Sequence, residues 1–365
     1  MRRIFPNALA VIILVAFVLP PRGFAQDGSS REPVAQSATE FAVDLYRQFV
    51  GREDQGGKNL FFSPYSIYTV LALMYGGAAG EAAEQMADAL HIRLEPEAFQ
   101  TGLADIQEIL SQIGERGAVE LNIANSLWPQ TGATLNPGFL KLAEHYLAEV
   151  YPVDYRTEPE VVRGRINDWA EERTDGRIKD IVNWALHPET HLLLANAIFF
   201  KGEWRWRFDP AETESMPFHR LDDDPVEFPM MMQLGRFPFG MIDSVQILQL
   251  PYEGGGLSMT VVLPEGPQDL PLIEQRMSAA DILDLQEKLS EQDVYVLLPR
   301  FRITSAFDLI EDESLQALGM KRALDRLGAE FPGIAEPANW FSILRFVHKA
   351  FVEVNEEGTE AAAAT

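Results

Sequence analysis

Asn355-Glu356-Glu357-Gly358-Thr359-Glu360-Ala361-Ala362-Ala363-Ala364-Thr365 decides how the rest of the chain is read. The apolar, β-rich run Lys349-Ala350-Phe351-Val352-Glu353-Val354 leads into it. Two carboxylates follow, then a glycine tolerant of unusual backbone angles, then residues too small to clash with anything. If Gly358 is a pivot and the chain beyond it a strand, side chains alternate between faces. Thr359, Ala361, Ala363 and Thr365 then share one face, and Glu360, Ala362 and Ala364 the other. One face is uncharged and compact, which suits entry into a crowded place. The same composition also suits a helix or a semi-rigid tail, because Glu followed by alanines is a strong helix former.

The segments outside this stretch narrow the choice. Leu192-Leu193-Leu194-Ala195-Asn196-Ala197-Ile198-Phe199-Phe200 is a continuous apolar run with one polar residue, which predicts a central strand buried on both faces. Asn196 then needs a partner, since an unpaired buried amide costs about 1–3 kcal/mol. Ser63-Pro64 is a helix start: the Ser63 hydroxyl caps, and Pro64 takes a position where a missing N–H costs little. The helix it opens is nearly apolar all round, is predicted to end near Gly76, and should be buried. His348, on an apolar strand, reads as a satisfied core histidine. Further helices are predicted from Thr39, over 81–90 and 95–113, after Asn136-Pro137, and over 161–174, where Thr174-Asp175-Gly176 stops the last. Residues 119–128, including Asn122-Ile123-Ala124-Asn125-Ser126-Leu127, alternate as a strand, and short strands are predicted near 230, 251, 260 and 298.

With 365 residues, of which 47% are hydrophobic, the chain has the material for a large core. Residues 1–25 read as a secretory signal: Arg2 and Arg3, an apolar run over 8–19, and Gly23-Phe24-Ala25 before Gln26. The run is too short for a membrane span. Residues 1–25 hold three arginines and no acid, so their removal takes the net charge from −25 to −28. That balance argues against nucleic acid, polyanions and anionic membranes as partners. There is no cysteine, which excludes disulfides, thiol catalysis and cysteine-ligated zinc. Residues 26–38, polar and glycine-containing, read as a disordered arm, so the folded domain is set at 39–365.

Taken together, the run from Lys349 to Ala362 closely resembles the hinge of the reactive-centre loop in inhibitory serpins. Asn59 with Ser63-Pro64 and Ser66-Ile67, Asn196 through Trp204 with Phe208-Asp209-Pro210 and Thr213, and Phe331-Pro332-Gly333-Ile334 are also similar to that family's patterns. The resemblance spans roughly residues 39–365 and implies an α+β serpin fold. It implies one unit with a large central mixed sheet, two further sheets and about eight to nine helices. It places Ser63, Pro64, Ser66, Asn196 and His348 in a shutter cluster under the sheet, with His348 bonding near Ser66 and Asn196. It places Trp204 and Arg300 at the breach, with Arg300 close to Glu356, and makes Glu356 to Thr365 the reactive-loop hinge. The implied activity is suicide inhibition of a serine protease, or of a cysteine protease as a second class, by insertion of the cleaved loop. A covalent complex, a monomeric and secreted inhibitor (extracellular or periplasmic), and no cofactor follow from the same resemblance. The alternative within the family is a non-inhibitory carrier, chaperone or storage protein. The resemblance also implies that the chain stops inside the loop, before the reactive bond and the final strands, leaving sheet edges uncovered.

Catalytic readings find little support. No Gly-x-Ser-x-Gly elbow, phosphate-binding glycine loop or dinucleotide fingerprint occurs. His187-Pro188-Glu189-Thr190-His191 has the wrong order for a helical zinc motif, and Pro188 opposes a helix there. Asp222-Asp223-Asp224-Pro225 lacks the spaced ligands of a calcium loop. No metal site is therefore expected.

Overall fold

The computed structural model describes residues 2–3, 12–15, 30–52, 58–115, 119–220, 225–325, 330–336 and 343–360. In chain order the strands are β1 (Arg2–Arg3), β2 (Ile12–Val15), β3 (Val119–Pro129), β4 (Thr134–Leu135), β5 (Ala148–Val150), β6 (Leu192–Glu203), β7 (Glu214–Phe218) and β8 (Val226–Ile242). They continue as β9 (Val245–Pro251), β10 (Ser258–Leu263), β11 (Ser290–Pro299), β12 (Phe301–Asp308), β13 (Ala335–Glu336), β14 (Ile343–Val354) and β15 (Gly358–Glu360). The principal helices are α1 (Arg31–Val50), α2 (Pro64–Tyr75), α3 (Gly80–Ala89), α4 (Pro96–Glu115), α5 (Pro137–His145), α6 (Pro159–Arg173) and α7 (Leu270–Arg276).

Among the described residues these elements form an α+β fold with three sheets. The central sheet runs β12-β14-β15-β6-β3-β5 and is mixed, because β14 pairs parallel with β6 and β3 parallel with β5. A second sheet runs β1-β11-β8-β9-β10-β2, with β7 on β8, and β4 and β13 make a small third.

The apolar run of β6 is explained by what lies on each face. Leu192 and Leu194 enter the core beneath α1 and α2, whereas Leu193, Ala195 and Ala197 face the core that Ile166 and Trp169 of α6 complete. Toward its far end Phe200 joins a third core between the central and second sheets, with Trp204, Tyr252, Val352 and Val354. A strand covered on both sides needs no polar alternation, and from Leu192 to Phe200 β6 has no polar residue apart from Asn196.

Helix α2 begins as its sequence requires. Ser63 adopts an extended backbone, its hydroxyl accepts the N–H of Ser66, and Pro64 takes the first helical position. Ten of its residues are buried, from Tyr65 to Met74, and Gly76 ends it. Asn136 caps α5 by accepting the N–H of Gly138 at 2.8 Å, again with proline next in line.

One expectation is corrected by α1. The arm at 26–38 is not wholly disordered, because α1 starts at Arg31. Val34 and Ala38 lie on the helical face that also carries Phe41, Leu45 and Phe49, and all five are buried. Ser37 Oγ donates to the carbonyl of His91 at 2.7 Å, which ties this turn to the loop after α3. Composition recorded the polar side of these turns, whereas packing decides on the apolar side. Ile12–Val15 pairs antiparallel with β10 at one edge of the second sheet, from Met259↔Val15 to Val262↔Ile12. The remainder of residues 1–25 lies outside the described residues, as do Asp222 to Asp224 and Ala361 to Thr365.

Candidate functional site

The seam between β6 and β14 organises the site. The two strands pair from Ile343↔Leu192 to Ala350↔Ile198, then part, and β15 fills the gap above. Halfway along the seam a row of polar side chains crosses the sheet. Asn125 on β3 is in register with Asn196 on β6, Asn196 with His348 on β14, and His348 with Phe307 on β12. Asn196 Nδ2 donates to Asn125 Oδ1 at 2.5 Å, and Asn196 Oδ1 lies 2.5 Å from His348 Nδ1. His348 Nε2 accepts the backbone N–H of Ser63 at 3.0 Å.

Those contacts fix the proton on His348. An acceptor Nε2 requires the hydrogen on Nδ1, which then donates to the Asn196 carbonyl oxygen. The ring is fully buried, and desolvation lowers its pKa to about 3, so it is neutral at ordinary pH. Ser63 Oγ and Ser66 Oγ, 2.8 Å apart, extend the network into α2. The structure thus brings Ser63, Ser66, Asn196 and His348 together, with Pro64 setting the helix start. One detail differs from expectation: His348 meets the Ser63 amide, and Ser66 joins through Ser63.

Above the seam a second group surrounds the turn from β14 to β15. Asn355 Oδ1 accepts the N–H groups of Glu357 and Gly358, at 3.0 and 3.2 Å, and its own N–H donates to the Gly358 carbonyl. The segment after β6 wraps this turn. Trp204 N–H donates to Glu357 O, Phe208 N–H to Glu356 O, and the Trp204 indole N–H to Asn355 O, all within 2.9 to 3.0 Å. Glu356 is buried, with Oε1 accepting from Thr213 Oγ1 at 2.8 Å and Oε2 lying 3.1 Å from the Arg300 guanidinium. Arg300 itself is half exposed, so the pair is anchored on its acidic side. Arg300 and Trp204 therefore both reach the hinge, by side chain in one case and by backbone and indole in the other.

The residues that follow this turn lie in the sheet. Gly358 and Thr359 pair antiparallel with Glu203 and Gly202 on one side, and Thr359 and Glu360 with Val354 and Glu353 on the other. Thr359 is 1% exposed. Gly358 was expected to supply an unusual torsion, but its φ is not in the left-handed range. It is needed for closeness: a Cβ there would stand 2.1 Å from the carbonyl oxygen of Gly202. Position 357 is the exposed second carboxylate of the turn.

Sequence reading passed over Asn125, Asn355, Gly202 and Tyr252 as site residues. Asn125 and Asn355 had a signal, since each is an amide at the end or middle of an apolar strand. Tyr252 was seen as a strand end in Leu250-Pro251-Tyr252. Its role depends on contacts with Trp204 and Thr359, which lie 48 and 107 positions away. His187 and His191 sit in a loop where Glu189 N–H donates to His187 Nδ1 at 3.2 Å. Among the described residues no group of three or more His, Asp or Glu side chains is placed to hold a metal ion. No helix of those residues is long and apolar enough to cross a membrane.

The central mixed sheet thus carries a short strand, β15, between β14 and β6, directly above the stretch where those two strands pair with each other. Residues 36–365 match the family model described as "Serpin (serine protease inhibitor)". An uncharacterised serpin-like protein of Thermococcus kodakarensis is 39% identical over 336 residues, covering 92% of this chain and 76% of that one. The leukocyte elastase inhibitor of Bos taurus is 37% identical, covering 92% and 89%. Among solved structures, human thyroxine-binding globulin complexed with its hormone aligns with a TM-score of 0.81 at 27% identity, covering 92% and 89%. The chain belongs to the serpin family.

Proposed function

We propose that this chain is the body of a secreted serine protease inhibitor that works as a suicide substrate. The observation that carries the reading is β15, where Gly358, Thr359 and Glu360 already lie as a strand between β14 and β6. Below it those two strands are held to each other by a single parallel ladder. Cleavage of an exposed loop by the protease frees the chain beyond Glu360 to continue downward. One ladder is then exchanged for two, at about 0.5–1.5 kcal/mol net per hydrogen bond gained. About ten such bonds equal the whole stability of an ordinary domain, enough to distort the active site of a protease carried with the loop. The protease supplies the nucleophile and the acyl bond; this chain supplies the conformational change and acts as a monomer.

Glu356 to Thr365 are assigned to the hinge, Ser63, Pro64, Ser66, Asn196 and His348 to the shutter, and Trp204 and Arg300 to the breach. Arg2, Arg3, the apolar segment and Gly23-Phe24-Ala25 support export. The test incubates the protein with serine proteases of elastase, chymotrypsin, trypsin and subtilisin type. A detergent-stable complex, together with a higher melting midpoint after the loop is nicked, is the expected result. Stoichiometric cleavage with no complex and an unmoved midpoint would instead select the carrier reading, which the likeness to thyroxine-binding globulin supports.

A further inference from the structure

Tyr252 is placed to measure how far the hinge has entered. Its ring is buried and held on three sides. It stacks on Trp204 with centroids 4.9 Å apart and planes within 8°, meets Phe200 edge to face at 5.0 Å, and lies over Gly202. A Cβ on Gly202 would approach the ring to 2.8 Å, so the absence of a side chain there makes room for it. Its backbone N–H is tied to Leu257 O at 3.1 Å. A tyrosine has two side-chain torsions, and both are fixed by this packing, so the hydroxyl occupies one position. At that position it lies 2.7 Å from Thr359 Oγ1, and both groups are fully buried.

The pairing is specific to depth. Thr359 stands opposite Gly202 on β6 and Val354 on β14. A shift of one residue would turn its side chain to the other face of the sheet, where Lys201 and Glu203 point, away from the phenol. At this depth the Thr359 hydroxyl satisfies the buried phenol, and an unpartnered buried hydroxyl is costly. Burial also raises the tyrosine pKa, so the phenol stays protonated and available.

We propose that Tyr252 is a positioning residue for loop insertion, whose hydroxyl reads the hydroxyl at 359 and sets the resting depth of the hinge at the three residues of β15. The biological consequence rests on the insertion reading above, but the resting depth does not. Glu356 with Arg300 and Thr213 fixes the turn, whereas Tyr252 with Thr359 fixes the strand beyond it.

The experiment is amide hydrogen exchange at Gly358 to Glu360 in the full chain, for Thr359→Val, Thr359→Ser, Tyr252→Phe and the double variant Tyr252→Phe/Thr359→Val. Loss of either hydroxyl is expected to speed exchange on the order of tenfold, with the double variant no faster than the single ones. Thr359→Ser, which keeps the hydroxyl and loses a methyl, is expected to exchange like the parent. Additive effects in the double variant, or serine behaving as valine, would overturn the assignment. If Tyr252→Phe does not fold, the serine and valine variants decide the matter by themselves. Protease inhibition plays no part in this readout. Coupled exchange in a protein that forms no protease complex would leave Tyr252 assigned and remove only the inhibitory reading.

Discussion

Acidification from pH of about 7.5 to about 5 should weaken this fold through His348 by an amount that can be worked out. In the native state its pKa is lowered to about 3 by burial. In the unfolded chain it returns to roughly 6.5. Below that value the unfolded state binds more protons, so stability rises with pH. The contribution is complete above about 6.5 and is lost as pH falls toward about 3. At pH of about 5 the loss is about 2 kcal/mol, since each pKa unit is worth about 1.4 kcal/mol. Protonation also removes the Nε2 lone pair that accepts the Ser63 amide, so the charged form is both desolvated and short of a bond. The assay is urea unfolding of the parent and of His348→Gln at the two pH values, read as the difference between the two pH responses. Carboxylates common to both proteins cancel in that difference. The parent should lose about 2 kcal/mol more than the variant. Equal losses would show that His348 does not titrate as its burial requires, and the neutral-ring account of the row would fail.

Other perturbations follow from the same geometry. Thr359→Arg in the complete protein should abolish the protease complex and leave a cleaved substrate, because a guanidinium replaces a side chain that is 1% exposed; an undiminished yield of complex would refute this. Gly358→Ala places a methyl 2.1 Å from a backbone oxygen and should push β15 out of the sheet, seen as lost exchange protection at 358–360 with α2 protection retained. Glu356→Lys sets a second cation beside Arg300 and deprives Thr213 of its acceptor, at a cost of about 1–3 kcal/mol. Faster polymer formation on native gels is the expected outcome, and an unchanged rate would show that Glu356 does not hold the turn in place.

What the sequence makes legible is governed by range. The Ser63-Pro64 start of α2, the Asn136-Pro137 start of α5 and the burial of β6 are written in neighbouring residues, and they appear as expected. The partner of Asn196 was demanded by physical reasoning, but its identity is a matter of register. Asn125 and His348 flank it because three strands align, and local pattern contains no register between strands 71 and 152 positions apart. The early turns of α1 were missed because Arg31, Glu32, Pro33 and Gln36 dominate the composition, while Val34 and Ala38 decide the packing. Gly358 was read as a torsional device when its function is steric, which requires knowing that the Gly202 carbonyl oxygen approaches it. The resemblance to a family bridged these gaps for Asn196, His348, Trp204 and Arg300, and left Tyr252 unnoticed.

The row that crosses the sheet has a consequence for the course of insertion. Thr359 faces Gly202 and Val354, and if that alignment is carried down both neighbours, position 365 arrives between Asn196 and His348. By the same alignment positions 361 to 363 fall between apolar or small neighbours, Phe200 and Val352, Phe199 and Phe351, Ile198 and Ala350, and position 364 between Ala197 and Lys349, but at 365 the incoming chain must part a buried amide from a buried imidazole. On the insertion reading proposed above, descent would therefore pause at mid-height, and the dwell there would compete with deacylation of the bound protease.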